Sequence, residues 1–277
     1  MKIEVENVKP HIGAIVHVER SALLGEGVAQ RCLELLEERG VLVFPRIGLT
    51  DAEQLAFTDR LGARVNFTRS VAGGDTDTAD VYTITLDPKI NNEPEYVLGT
   101  YFWHMDGITS DIPPPKASVL TARRLAPKGG QTEFASTYAA YEALPEDEKA
   151  ELAGLRVIHS VEAAVREVAA PDTLDPRKRA NVHEHPLVWT HKSGRKSLLI
   201  GYTADRVVGM SQAEGRALLA RLLEWTAQPA FTYRHQWQEG DLVVWDNCGA
   251  LHRVIPYAPD SGRTMHRTSV AGVEVVK

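Results

Sequence analysis

Short apolar strand patterns crowd both ends of this 277-residue chain, and they constrain its fold more than any other feature. "VLVFP" (41–45) is an apolar run stopped by proline, which cannot donate to a sheet ladder. In the last third, "KSLLIGY" (196–202), "FTYRHQW" (231–237), "DLVVWDN" (241–247) and "TMHRTSVAGVEVV" (264–276) read as strands. "ADVYTITLD" (79–87), "ASVLTARRLAP" (117–127) and the turn plus strand "GGQTEFAS" (129–136) join them. Helical spacing is confined to "ALLGEGVAQRCLELLEERG" (22–40), "TDAEQLAFTDRLGA" (50–63), "TYAAYEALPEDEKAELAGL" (137–155, on either side of Pro145) and "SQAEGRALLARLLEWTAQ" (211–228). With so few helices to serve as crossovers, strands must pair antiparallel or with partners distant in sequence. A mainly β fold follows, a sandwich or jelly roll with helices packed outside, in preference to a doubly wound parallel sheet. Neither GxGxxG nor GxxxxGK[ST] occurs, so neither nucleotide-binding loop is present.

Ordinary globular composition (43% hydrophobic, 25% charged), with no linker, low-complexity tract or repeat, points to one domain over 1–277. The stretch 160–185 has weak periodicity and much charge, and reads as a long insertion that shapes a substrate pocket. A net charge of -6 argues against nucleic acid, which needs a basic face. No apolar run reaches the ~18 residues of a membrane span, and the N-terminus carries no signal-like h-region. Two cysteines, Cys32 and Cys248, make neither a disulfide framework nor a zinc site, which suits a reduced, cytoplasmic setting.

"YFWHMDGITSD" (101–111) carries the chemistry. On an extended chain residues i and i+2 point the same way, so His104 and Asp106 would aim an imidazole and a carboxylate at one place. Two ligands do not make a site. A second segment, "GDLVVWDNCGALHRVIPYAPDSGRTMHRTSVAG" (240–272), offers His252 past a strong strand, at a turn. It also puts Arg263, Met265 and Arg267 on one face of a strand. Two guanidiniums on an inner face need anions, because unpaired buried charge is costly. Two histidines and one carboxylate form the facial triad of non-haem Fe(II) oxygenases. A nearby arginine suits the far carboxylate of a dicarboxylic co-substrate.

Taken together and in order, "VLVFP", "WHMD", "PKGGQTEF", "AAYEALP", "SGRKSLLIG", "VVGMSQAEGRALLARLLEWTAQPAFTYRHQW", "GDLVVWDN", "LHR" and "RTMHRTSVAG" resemble the taurine/2,4-dichlorophenoxyacetate dioxygenase family of Fe(II)- and 2-oxoglutarate-dependent oxygenases, along nearly the whole chain. The resemblance implies a double-stranded β-helix (jelly-roll, cupin-like) core. It implies an Fe(II) triad of His104, Asp106 and His252, with 2-oxoglutarate and O2 consumed. It implies that Thr132 and Arg263 bind the distal carboxylate of 2-oxoglutarate. Arg267 matches an arginine near the substrate's anionic group or in further support of the co-substrate, and Trp245 an aromatic beside the iron pocket. The chain departs from the family at Asp246-Asn247-Cys248, where many members read Asp-Asn-Arg, and this weakens any transfer of substrate specificity. The carboxylate at 106 favours hydroxylation over halogenation, which in this superfamily needs a small residue there.

The substrate implied is a small anion, a carboxylate or sulfonate. Hydroxylation beside an ether oxygen or a sulfonate breaks the C–O or C–S bond. The wording of the C-terminal half sits closer to the phenoxyalkanoate-degrading branch than to the taurine branch. Taurine, alkylsulfonate, alkyl sulfate and amino-acid or natural-product substrates are the alternatives. "RVNFTRSV" (64–71) and 160–185 are expected to shape the pocket, with Asn66, Tyr82 and Thr100 as candidate lining. His183 and His185 repeat an i, i+2 pair without a visible third ligand. A homodimer or homotetramer is compatible with the resemblance. Two other classes remain open on the residues alone. One is a zinc-bound jelly-roll binding module, and the other is a structural barrel with internally paired His and Arg.

Overall fold

A computed structural model describes residues 3–25, 27–65, 81–91, 94–110, 112–169 and 180–277. The first strands are β1 (Glu4–Asn7), β2 (Ala14–His17), β3 (Val41–Phe44), β4 (Tyr82–Ile84), β5 (Ala117–Arg124), β6 (Thr132–Ser136) and β7 (Arg156–Ser160). They are followed by β8 (Val182–Pro186), β9 (Val188–Thr190), β10 (Lys196–Leu198), β11 (Ala204–Val207), β12 (Thr232–His235), β13 (Leu242–Asp246), β14 (Ala250–Val254) and β15 (Thr264–Val270). The helices are α1 (Val28–Arg39), α2 (Asp51–Leu61), α3 (Pro94–Gly99), α4 (Thr137–Glu142), α5 (Glu146–Leu152), α6 (Val161–Val165) and α7 (Gln212–Thr226).

The major sheet has the order β1-β2-β3-β13-β5-β15-β4, and the sheet facing it β12-β6-β14. Strand β13 sits between β3 and β5, with Val243 opposite both Val43 and Leu120. Segments from near the two ends of the chain therefore pair at the centre, antiparallel; β2 with β3 is a parallel pair. Val41, Val43, Leu120, Val243, Trp245 and Met265 point inward, where they pack with Phe134 of β6. Leu42, Phe44, Leu242 and Val244 point outward onto Leu35 and Leu36 of α1 and Phe57 and Leu61 of α2. Period-two alternation divides one unbroken apolar run between two cores, which is why these strands carry no polar spacing. Behind the second sheet, Ala135 and Leu251 pack with Ala139, Leu219 and Leu222 of α4 and α7 and with Trp189 of β9. Two facing sheets with helices outside make a double-stranded β-helix, the jelly-roll, cupin-like core expected.

Helix boundaries follow local chemistry. Thr50 and Ser211 each close a capping box with a glutamate three residues on, which satisfies two orphan backbone donors at the start of α2 and α7. The first helix begins at Val28 rather than near 22, because Gly27 precedes it in a left-handed conformation (φ 83°) that interrupts the turn. The charged stretch expected as a loop over 160–185 contains α6 and β8. Ser160 caps α6 by accepting from Ala163 N–H, and β8 pairs with β7, with His159 opposite His183. Its weak apolar signal reflects an edge strand with exposed and half-buried side chains. His252 lies in the middle of β14, not at a turn.

Candidate active site

His104 belongs to no regular strand; it forms a single bridge to His252. His104 N–H donates to the His252 carbonyl at 3.0 Å, and His252 N–H donates back to the His104 carbonyl at 2.9 Å. Residues that exchange both backbone bonds lie directly opposite, with their side chains on one face. The two imidazole centroids are accordingly 4.1 Å apart. Asp106, two residues on, turns its carboxylate to the same point. Its Oδ1 is 3.9 Å from His104 Nε2 and its Oδ2 3.8 Å from His252 Nε2. All three side chains are buried, and one donor atom from each lies within 4.8 Å of the others. Among the described residues no other group of three or more such side chains comes together.

These contacts are too long for hydrogen bonds, so the donors face one another without satisfying one another. His104 Nδ1 lies 2.9 Å from the Phe102 carbonyl. A neutral ring donating there leaves the Nε2 lone pair aimed at the shared point. Ser118 Oγ donates to Asp106 Oδ2 at 3.0 Å. Burial keeps both imidazoles below their ordinary value, His252 furthest, with His104 adding to the effect on it. Burial would raise the Asp106 carboxyl, yet Arg267, then His252 and His104, together with Ser118, hold it below the ordinary carboxylate range. Two neutral imidazoles and an ionised carboxylate are the donor set a divalent transition metal takes. The residues fit an Fe(II) site.

Arg263, Met265 and Arg267 are buried, whereas Thr264 and His266 are half-buried on the other side; the three share the inner face as expected. The two arginines differ in one respect. Arg267 Nη1 lies 3.6 Å from Asp106 Oδ1 and its guanidinium 5.1 Å from the Tyr82 ring centroid. Arg263, only 3% exposed, has no carboxylate within ion-pair distance among the described residues. Its Nη2 donates to the Gly130 carbonyl at 3.1 Å, its guanidinium sits 4.8 Å over the Tyr257 ring, and its Nε has no partner among the described residues. Desolvation pushes its pKa down. A buried cation in that state calls for an anion from outside the chain.

Thr132 lies on β6, two residues beyond Gly130. Its Oγ1 accepts from Trp237 Nε1–H at 2.9 Å, which leaves the threonine proton to be given elsewhere. Gly130 adopts φ 79°, and a Cβ on it would lie 2.9 Å from Arg263 Nε, so only glycine lets the two segments approach. Tyr82 reaches the site through Arg267. Thr100 turns its hydroxyl to the Val97 carbonyl, 2.6 Å away on α3. Asn66 lies outside the described residues. The Trp245 ring is 4.7 Å from that of His252. Cys248 is buried, its N–H donating to Asp246 Oδ1 at 3.1 Å, and burial raises its thiol. His185 Nε2 lies 2.9 Å from the Ile108 carbonyl, which places the 183/185 pair beside the loop after Asp106.

Sequence reasoning missed Ser118, Trp237 and Asn247 as supports. Ser118 is a lone small polar residue at the head of an apolar strand, a readable signal. Asn247 sits within the "WDN" motif, which by itself assigns it no role. Its Oδ1 accepts from Asp106 N–H at 2.9 Å, and its Nδ2 donates to the Asp106 and Pro115 carbonyls at 2.8 and 3.2 Å.

Residues 4–269 match the family model described as Taurine catabolism dioxygenase TauD, TfdA family. The chain belongs to this family. An alpha-ketoglutarate-dependent 2,4-dichlorophenoxyacetate dioxygenase of Cupriavidus pinatubonensis is 37% identical over 91% of the chain and 92% of that protein. A protein named alkylsulfatase from Acinetobacter baylyi is 32% identical over 98% and 86%. A solved structure, AAD-2 in complex with Mn(II) and N-oxalylglycine, superposes with a TM-score of 0.84 at 32% identity, covering all of both chains. The chain is a non-haem Fe(II) dioxygenase dependent on 2-oxoglutarate and O2. Among the described residues no helix is long and apolar enough to cross a membrane.

Proposed function

We propose that the chain, as one dioxygenase domain over 1–277, hydroxylates a small anionic aryloxyalkanoate-type substrate and so cleaves its C–O bond. His104, Asp106 and His252 hold the Fe(II), and Arg263 with Thr132 binds the distal carboxylate of 2-oxoglutarate. Arg267 faces the substrate anion, while Tyr82 and the described parts of 160–185 help shape the pocket; residues 170–179 lie outside the described residues. The observation that carries this reading is the contrast between the two inner arginines. One is answered by Asp106, and the other is buried with no anion of the chain's own among the described residues.

Fe(II) held by such a triad would supply activation of O2, the oxidant, one oxygen atom of which goes to succinate as 2-oxoglutarate loses CO2 and the other to the hydroxylated substrate. The chain's own groups position the reactants. The guanidinium of Arg263 and the Thr132 hydroxyl fix one end of the co-substrate, so its oxo-acid end is carried toward the triad. Trp237 orients Thr132 as a donor. Phe102, through its carbonyl, keeps His104 Nε2 unprotonated. Trp245 and Phe134 pack against His252 and exclude water from one side of the site.

Support for the aryloxyalkanoate class comes from relatives bearing such names, at 37% identity for the 2,4-dichlorophenoxyacetate enzyme cited and 31% for an (S)-phenoxypropionate/alpha-ketoglutarate-dioxygenase of Sphingobium herbicidovorans. A second reading, an alkyl sulfate, is favoured by the alkylsulfatase relative. A panel of aryloxyacetates, 2-aryloxypropionates, alkyl sulfates and taurine, scored by substrate-dependent succinate, tests the proposal. Phenol release from an aryloxyalkanoate is the expected result. Succinate stimulated by alkyl sulfates or taurine alone would overturn it.

A further inference from the structure

We infer that Asn247 is a positioning residue for the metal centre: its side chain clamps the backbone of Asp106 and so sets the direction of the carboxylate that His104 and His252 share. The inference rests on the triad reading proposed above.

Asp106 lies in a turn, where no ladder holds it. His104 is fixed by its reciprocal bonds to His252, but that bridge ends two residues short of Asp106. What holds the Asp106 backbone is one buried side chain from a distant part of the chain. The amide of Asn247 fills both backbone polar groups of the residue, accepting from Asp106 N–H and donating to Asp106 C=O. Its second donor goes to the Pro115 carbonyl, on the chain that returns from the Asp106 loop to β5. One planar amide thus spans both ends of the loop, and only asparagine has both an acceptor and two donors at this reach.

Asn247 is itself rigidly mounted. Its N–H donates to the Lys116 carbonyl at 3.1 Å, and the preceding Asp246 N–H to the Gly40 carbonyl at 2.8 Å. The Asp246 carboxylate, fully buried, takes Lys116 Nζ at 3.2 Å and caps Cys248 N–H at 3.1 Å. Strand β13 delivers this turn to the site, with its own register fixed by β3 and β5 on either side. The link thus runs from the central strand, through the Asp246–Cys248 turn and the Asn247 amide, to the Asp106 carboxylate. Ser118 Oγ, at the head of β5, completes the arrangement by holding Oδ2.

A buried amide with three bonds also supports the fold, so the test must separate position from stability. Mn(II) affinity, measured anaerobically by electron paramagnetic resonance on the whole chain, is the readout. Asn247→Ala is compared with Asp241→Asn. Asp241 pins the opposite end of β13, accepting from His235 Nε2 and from the N–H groups of Gln238 and Arg46, and touches no triad residue. Both variants are expected to melt earlier than wild type. Only Asn247→Ala is expected to weaken Mn(II) binding, by about 10- to 100-fold, the range found when partners of ligating groups are removed. Asn247→Ser, which can restore at most one of the three bonds, is expected in between, and it decides the matter by the same readout if the alanine variant does not fold. An Asn247 variant that is folded and binds Mn(II) as wild type does would overturn this inference alone. A wild-type chain that takes up no Mn(II) would overturn the triad assignment beneath it.

Discussion

Replacing Arg263 by methionine should separate co-substrate affinity from fold stability, weakening the first steeply while leaving the second nearly unchanged. Methionine keeps the length and apolar stem of arginine while removing the charge. Each hydrogen bond from a charged group is worth about 1.5–3 kcal/mol, so a paired guanidinium–carboxylate contact contributes about 3–6 kcal/mol. At about 1.4 kcal/mol per factor of ten, the dissociation constant for 2-oxoglutarate should rise on the order of a hundred- to ten-thousandfold. In the ligand-free protein the cost largely disappears. The guanidinium is buried, meets no carboxylate among the described residues, and is held only by the Gly130 carbonyl and the face of Tyr257. Exchanging a poorly paired buried charge for a well-packed apolar side chain is neutral to stabilising by about 1–4 kcal/mol. Methionine gives up the hydrogen bond to Gly130 and the cation's seat on Tyr257. Those losses, about 2–5 kcal/mol together, offset most or all of that gain, so the apo Tm should stay within a few degrees of wild type. Calorimetric titration of 2-oxoglutarate into Mn(II)-loaded protein measures the first effect without needing the primary substrate. A thermal melt of the apo protein measures the second. Binding within about threefold of wild type would refute the assignment of Arg263 as the co-substrate clamp. A fall in apo Tm of more than about 8 °C would refute the claim that its charge is unanswered in the empty site.

Asp106→Ala or His104→Ala should reduce succinate formation by more than about a thousandfold, since the ion loses a ligand from a set of three; wild-type turnover in either would disprove the triad. Arg267→Ala should raise the substrate concentration needed for half-maximal rate by about 10- to 100-fold with little change for 2-oxoglutarate, read from initial rates in each. The same variant should shift the acid limb of Mn(II) binding. Arg267 is the largest influence lowering the Asp106 carboxyl, the ligand works only when ionised, and its removal therefore moves loss of binding to higher pH. His159 is fully buried against Thr203, and burial lowers it to about 3. Because the unfolded imidazole takes its proton first, this neutral side chain contributes fully above about pH 6.5, and the contribution is lost as pH falls towards the folded value. The loss between pH 6.5 and 5 is about 2 kcal/mol, and urea unfolding of His159→Gln should show that portion of the slope flattened.

Much of this was legible because the decisive signals were local. Apolar runs at 41–44 and 242–245 declared buried strands, and Thr50 and Ser211 declared helix starts. His104, Asp106, Arg263 and Arg267 were legible from i, i+2 and i, i+4 spacing. What stayed hidden depended on partners distant in sequence. His252 reads as a turn residue because β14 is short and its apolar pattern broken by Arg253, and only pairing with β6 makes it a strand. Edge strand β8 has too little apolar content to announce itself. The role of Asn247 is invisible locally, since every group its side chain binds lies on segments far back in the chain.

The reciprocal bridge between residues 104 and 252 has a consequence for biosynthesis. Two of the three proposed ligands become neighbours only after β14 has docked on β6, late in the emerging chain. An ion arriving earlier meets a lone His-x-Asp pair and has little reason to stay. If these residues hold the iron as proposed, its uptake waits until the barrel has closed, and a redox-active metal is kept away from a half-made protein.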